Sequence, residues 1–330
     1  MEALLQKAKS LLPELKRWRR HLHEYPELSF QEYETQRFLL HELEKISGIR
    51  VKKAGNTGIV ADLITAEQGP WIALRADMDA LPIQEIERPH CSKRAGIMHA
   101  CGHDAHTAML LGAAHLLWGE RRSWQGGIRL IFQPGEEKAP GGASLLLQEG
   151  ILDEVPIQAI WAQHVTPQLP VGKIGLRSGP FMAASDEFHL TLKGPGGHAA
   201  YPHLTPDPIA VGSQLITHLQ QVVSRAADPR SPTVLTFGKF QAGSAPNIIP
   251  TEAALAGTLR TFDEGWRRKA RELITHLVHS TAEAWGLHAH LTFYPGYPVL
   301  QNDPLPHHPH TRLVQGALGT RCRRRSPFMA

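Results

Sequence analysis

Ile128-Arg129-Leu130-Ile131-Phe132, followed at once by Gln133-Pro134-Gly135-Glu136-Glu137, is a short apolar run that ends in a turn carrying two carboxylates. A run this short and this apolar predicts a strand buried on both faces. Downstream, Ala143 to Glu149 reads as a short helix and Ala159 to Gln163 as another strand. Upstream, Gly58 to Leu63 and Trp71 to Arg75 are β-like runs separated by a turn-like Gly69-Pro70, and an apolar helix is predicted from His106 to Trp118. Ser29 with Glu32 three residues on reads as a capping box. The helix it opens has Phe38, Leu39, Leu43 and Ile46 as its stripe and Gly48 as its stop. Strands and helices alternate, which predicts an α/β unit whose central sheet is covered by helices on both faces.

From about Ala184 the rhythm changes. Strand Glu187 to Leu192, helix Asp207 to Val223, strands Thr233 to Phe240 and Ala254 to Thr261, helix Glu264 to Trp285 and strand His288 to Phe293 give the order β-α-β-β-α-β. That order predicts a second, ferredoxin-like α+β domain of about 110 residues.

The chain has 330 residues, 42% hydrophobic and 20% charged, the composition of an ordinary globular protein rather than a disordered or fibrous one. No apolar run approaches the roughly 20 residues of a membrane span; Asp62 already interrupts Ile59 to Ile64. Residues 1–20 mix charges among their leucines and lack a secretory core, so no membrane association and a cytoplasmic location are expected. Three cysteines, Cys91, Cys101 and Cys322, cannot build a disulfide framework. The net charge of +4 equals the four arginines among residues 321–325, so the body is neutral and nucleic-acid binding is not expected. The 20 histidines are more distinctive, because imidazole is a metal ligand.

Three groups of residues could carry chemistry. In Met98-His99-Ala100-Cys101-Gly102-His103-Asp104-Ala105-His106, Cys101 and His103 sit two apart ahead of a helix. A thiolate and an imidazole on such a loop can reach one ion, and that donor pair suits zinc and its first-row neighbours; a packed or solvated pair is the alternative. Glu136 and Glu137 directly follow a strand, where one carboxylate could bind metal while the other acts as a base; the alternative is a solvated turn. His164 follows the strand Ile160-Trp161-Ala162-Gln163, as a ligand or as a core histidine. All three groups follow strands or open a helix in one α/β unit, which places them on one edge of one sheet.

Six ordered motifs between residues 17 and 300 resemble the metal-dependent amidohydrolases that include hippurate hydrolases, N-acyl-amino-acid deacylases and auxin-conjugate hydrolases. They are Arg20-His21-Leu22-His23 with Pro26-Glu27-Leu28-Ser29; Leu74 to Pro82; His99 to Asp104; Gln133 to Glu137; Gly194 to Ala200; and Ala245 to Pro250. The resemblance implies amide hydrolysis of N-acyl amino acids or short peptides by a centre of two divalent metal ions (zinc, manganese, cobalt or nickel). It implies Cys101, His103, Glu137 and His164 as ligands, Glu136 as the general base that activates water, and Asp79 behind the ligands. It further implies a catalytic domain with a central mixed sheet, residues 1–183, and an inserted lid and dimerisation domain, residues 184–295. Residues 296–330 would start the carboxyl-terminal part of the catalytic domain. His198 would help hold the tetrahedral oxygen, often from the partner subunit of a homodimer, while Asn247 and Arg260 would bind near the substrate carboxylate.

Relatives of this kind continue through a Gly-Glu-Asp-Phe segment to a further histidine ligand. This sequence reaches Ala330 before it, so the resemblance implies a truncated product with a weakened second metal site, exposed sheet edges, poor solubility and impaired turnover. His307, His308 and His310 come too soon after the lid to replace that ligand and read as a solvated tail. The competing readings are a non-catalytic metal-binding relative and a nucleic-acid module driven by the arginine tail.

Overall fold

A computed structural model of the chain describes residues 2–303, which fall into two units, one running to Gln168 and the other starting at Leu169. His307, His308, His310, Cys322 and the arginine run lie outside the described residues.

The first unit opens with two helices not anticipated from the sequence, α1 (Glu2–Ser10) and α2 (Leu12–Glu24). Pro13 occupies the first turn of α2, where a missing N–H costs no helical bond, and Trp18 and Leu22, one turn apart, are its buried apolar residues. Helix α3 (Tyr33–Glu44) follows, but Ser29 and Glu32 do not form the expected capping box. The Ser29 hydroxyl donates to Asp79 at 2.6 Å, and the Glu32 carboxylate accepts from the Thr57 hydroxyl and from the Gly135 N–H. Those partners are buried, where an unmade bond is costlier than at a wet helix end, so they take both side chains from the cap.

Next come β1 (Arg50–Ala54), β2 (Gly58–Ile64), β3 (Trp71–Asp77), α4 (His103–Gly119), β4 (Gly127–Gln133), α5 (Gly142–Gln148) and β5 (Ile157–Ala162). The strands form a mixed sheet in the order β1-β2-β4-β3-β5. The β1/β2 and β2/β4 pairs are antiparallel, whereas β3 runs parallel to both β4 and β5. Every residue of β4 is buried. Ile128, Leu130 and Phe132 join Ile59, Ala61 and Leu63 of β2 in a core shared with α2, α3 and α4. Ile131 instead joins Val60, Ala73 and Leu146 in a smaller cluster on α5, as the two-residue period of a strand requires. The one charge inside β4, Arg129, lies opposite Asp62 and pairs with both its carboxylate oxygens at 2.8 and 2.7 Å, which explains the charge that interrupts β2. Strand β5 closes the sheet at one side with alternately half-buried and exposed residues.

Because β3, β4 and β5 are parallel, their carboxyl ends share one edge: Asp77 lies opposite Gln133, and Arg75 opposite Ala162. Helix α4 begins at His103 rather than His106, after Gly102 in the left-handed region at φ 88°. A Cβ on Gly102 would sit 2.4 Å from Val165 Cγ2, so the turn that delivers Cys101 and His103 needs glycine for both its dihedral and its space.

The second unit contains β6 (Gly179–Met182), β7 (Ala184–Lys193), β8 (Gly197–His198), α6 (Pro208–Gln221), β9 (Thr233–Ala242), β10 (Ile248–Ile249), β11 (Glu252–Thr261), α7 (Glu264–Ala284), β12 (His288–Pro295) and β13 (Leu300–Asn302). Its main sheet is antiparallel in the order β12-β7-β11-β9, and the chain enters it as β-α-β-β-α-β through β7, α6, β9, β11, α7 and β12. Asp207 and Asp263 cap α6 and α7 by accepting backbone N–H bonds. Phe188, Leu190, Leu192, Leu215, Ile274 and Val278 form the core between helices and sheet. No helix among the described residues is long and apolar enough to cross a membrane.

Candidate metal centre

The carboxyl edge of β3, β4 and β5 gathers most of the site. Asp79 lies two residues beyond β3, Glu136 and Glu137 lie in the turn after β4, His164 follows β5, and Cys101 and His103 come from the turn into α4. Three donor groups result, each with ligand atoms within 4.8 Å of one another: Cys101, His103 and His164; His103, Glu136 and Glu137; and Asp77, His103 and His106. His103 belongs to all three, so the structure joins the four expected ligands through it rather than in one shell. Cys101 Sγ lies 3.2 Å from His164 Nε2, and His103 Nε2 lies 3.7 Å from both Glu137 Oε1 and Asp77 Oδ1.

Hydrogen bonds fix how these groups point. His103 Nδ1 donates toward the Asp79 carbonyl at 2.9 Å and Asp79 Oδ1 at 3.2 Å, which turns Nε2 toward Cys101, Glu137 and Asp77. A carbonyl or carboxylate behind one imidazole nitrogen is the usual means of aiming the other at a cation. Asp79 Oδ2 also accepts from the Ser29 hydroxyl and, at 3.0 Å, from the Glu137 N–H. Glu137 Oε1 is buried with no hydrogen-bond partner, although a buried carboxylate oxygen ordinarily has one.

The proton affinities describe the same field. Burial opposes a charge on His103, but hydrogen bonds to Asp79 and Cys101 and the charges of Asp77 and Asp79 outweigh it and push the imidazole up to about 11. The Cys101 hydrogen bond raises His164 to about 9, and bonds with His103 and His164 in turn pull the Cys101 thiol down. Burial also resists the charge on Asp77, yet the His106 bond and the Arg75 charge hold its carboxyl well below the usual range. Protons are thus drawn onto the imidazoles by surrounding anionic donors, a demand for positive charge that a divalent cation meets. With an orphaned Glu137 oxygen and a thiolate–imidazole donor set, the residues fit a zinc-like metal centre. Glu136 differs, since burial first and the neighbouring Glu137 charge second raise its carboxyl.

Two residues of this centre were missed in the sequence. Asp77 Oδ1 accepts from His106 Nδ1 at 2.6 Å, and His106 Nε2 accepts the Val165 N–H at 2.9 Å, which fixes the backbone beside His164. Both were legible: Asp77 and Asp79 share one strand face by their spacing of two, and His103 and His106 share one helix face by their spacing of three. His99 enters none of the donor groups. It is buried with neither ring nitrogen partnered, and burial pushes it down to about 4.

The remaining candidates lie in the second unit. His198 on β8 pairs with Ile248 on β10; its exposed ring accepts the Ala200 N–H through Nδ1, and the Asn247 carbonyl accepts the Ala199 N–H, so His198 and Asn247 share one short ribbon. Arg260 is exposed on β11, opposite Ser185 and Val234.

A family model described as Peptidase family M20/M25/M40 matches residues 73–329. An N-acyl-L-amino acid amidohydrolase of Geobacillus stearothermophilus is 45% identical over 288 residues, which is 87% of this chain and 77% of that relative. An N-acetyl-L-cysteine deacetylase of Bacillus subtilis strain 168 is 46% identical over 287 residues, 86% of this chain and 68% of the relative. The crystal structure of a dinuclear metal binding peptidase of the M20 family from Bacillus subtilis superposes with a TM-score of 0.80 at 38% identity, covering 97% of this chain and 84% of that one. Fold and relatives together define an enzyme that acts on amides. The chain belongs to peptidase family M20/M25/M40.

Proposed function

We propose that the protein hydrolyses the amide bond of N-acyl amino acids or short peptides, using two divalent ions held by Cys101, His103, Glu137 and His164. The observation that carries this reading is the meeting of the Cys101, His103 and His164 donors at His103 with the Glu136–Glu137 pair. The names of the amidohydrolase and deacetylase relatives agree with it. Bound zinc, manganese, cobalt or nickel would polarise the scissile carbonyl and stabilise its developing negative charge. Glu136, whose carboxyl is raised by burial and by the neighbouring Glu137 charge, takes a proton from the attacking water and returns it to the departing amine nitrogen. Asp79 keeps His103 in one tautomer and holds the Glu137 backbone. His198 donates to the tetrahedral oxygen, and Asn247 and the Arg260 guanidinium receive the substrate carboxylate. In this reading residues 1–183 form the catalytic domain, which resumes at 296–330. Residues 184–295 form a lid that pairs two copies, and the enzyme works in the cytoplasm.

Release of free amine from N-acetyl-L-amino acids by zinc- or manganese-loaded protein tests the proposal. Glu136→Gln is expected to retain metal and to lose about 10²- to 10⁴-fold in turnover. Full metal occupancy of the parent protein without amine release would favour the non-catalytic metal-binding reading instead.

A further inference from the structure

Glu32 lies 103 residues from the turn after β4, yet its carboxylate is fully buried against it. Oε1 accepts the Gly135 N–H at 2.7 Å, and Oε2 accepts the Thr57 hydroxyl. No Lys, Arg or His forms an ion pair with Glu32 among the described residues, so hydrogen bonds from Thr57, Gly135 and the Phe30 and Glu32 backbone, rather than a cation, offset part of the cost of burying this carboxyl, and burial still raises it. The turn is gripped elsewhere as well. Gly135 has φ 52°, and the Phe30 ring fills the space where its Cβ would stand, 2.3 Å from the nearest ring carbon. The Gly135 carbonyl accepts the Gly142 N–H at 2.9 Å. The Glu137 N–H is held by Asp79, which Ser29 holds in turn. Ser29, Phe30 and Glu32 therefore form one brace across the backbone that presents Glu136 and Glu137.

We propose that Glu32 is a positioning residue for the Glu136–Glu137 pair, acting through the Gly135 N–H with Thr57 locking its second oxygen. The proposal rests on the hydrolase reading above for its catalytic consequence. Small displacements of a base or ligand are costly to rate and to metal retention, so the brace sets both.

The test compares Glu32→Gln, which keeps an oxygen for Gly135 and an amide donor for the Thr57 oxygen, with Glu32→Leu, which keeps bulk and loses both bonds. Glu32→Gln is expected within about threefold of the parent in kcat. Glu32→Leu is expected to lose about 10- to 100-fold in kcat on N-acetyl-L-alanine with KM nearly unchanged, and to release zinc to a chromogenic chelator about tenfold faster. A Glu32→Leu protein that melts above the assay temperature and matches the parent in both kcat and zinc release would overturn the proposal and leave Glu32 a purely structural residue. If Glu32→Leu does not fold, Thr57→Val decides the matter, with a three- to tenfold loss in both readouts expected and parental values refuting it. Zinc release is measured without substrate, so a parent that hydrolyses no N-acyl amino acid defeats the hydrolase reading while the Glu32 comparison still stands or falls on metal retention.

Discussion

Replacing Asp79 by asparagine changes one atom and sets the hydrogen bonds that its carboxylate accepts in conflict. The parent carboxylate, shut off from solvent, accepts from His103 Nδ1 and from Ser29 Oγ and Glu137 N, while its backbone carbonyl also receives His103. An amide has a single acceptor oxygen. If its NH₂ takes the place of Oδ2 it faces the Glu137 N–H, which cannot reverse, although Ser29 can rotate to accept. If it takes the place of Oδ1 it faces His103 Nδ1. One charge-assisted bond is lost in either case, worth about 1.5–3 kcal/mol, and a buried donor can be left without a partner. A net loss of about 2–3 kcal/mol corresponds to a fall in Tm of about 4–12 °C for a domain of this size. Metal affinity and kcat should each drop about 10- to 100-fold, because His103 loses its aim and the Glu137 backbone its anchor. Calorimetry of the metal-free protein, zinc titration and amine release measure these separately. An Asp79→Asn protein with parental Tm, zinc affinity and kcat would refute the assignment of Asp79 as the residue that orients His103.

Metal-free protein should lose stability as pH rises from 6.5 toward 11. His103 keeps a proton through that range which the unfolded chain has released, so its contribution is full below pH 6.5 and disappears through about 11. The Cys101–His164 pair adds little slope where the proton given up by the thiol is the one gained by the imidazole, and bound zinc should flatten the profile of Tm against pH. Gly102→Ala should destabilise by about 1–3 kcal/mol, seen as a lower urea midpoint, because φ 88° and the 2.4 Å approach to Val165 both oppose a Cβ. His106→Phe should leave the Val165 N–H unpaired and Asp77 without its strongest donor, lowering zinc affinity about tenfold while Glu136→Gln does not.

The alternation of strands and helices around Ile128–Phe132 was legible because a central strand must be buried on both faces and is therefore mostly apolar, and β4 is buried throughout. The gathering of Cys101, His103, Glu136, Glu137 and His164 was legible for a topological reason, since residues after parallel strands share an edge. Where a side chain had two plausible partners, local pattern misled. Ser29 and Glu32 match a helix cap in spacing, but Asp79 and Gly135, 50 and 103 residues away respectively, compete for them from the interior. β1 was hidden for a related reason: Arg50, Lys52 and Lys53 make it look like a polar loop, yet its backbone pairs with β2 along its whole length.

The bond from Glu32 to Gly135 also bears on how the enzyme comes to life. A contact that closes so long a stretch of chain carries a large entropic penalty until the intervening strands have paired. Helices α2, α3 and α4 are built from local bonds and can form far sooner. In refolding from denaturant, the far-ultraviolet signal of the helices should therefore return ahead of the capacity to retain zinc, with the Glu136–Glu137 turn among the last parts of the first unit to take its final shape.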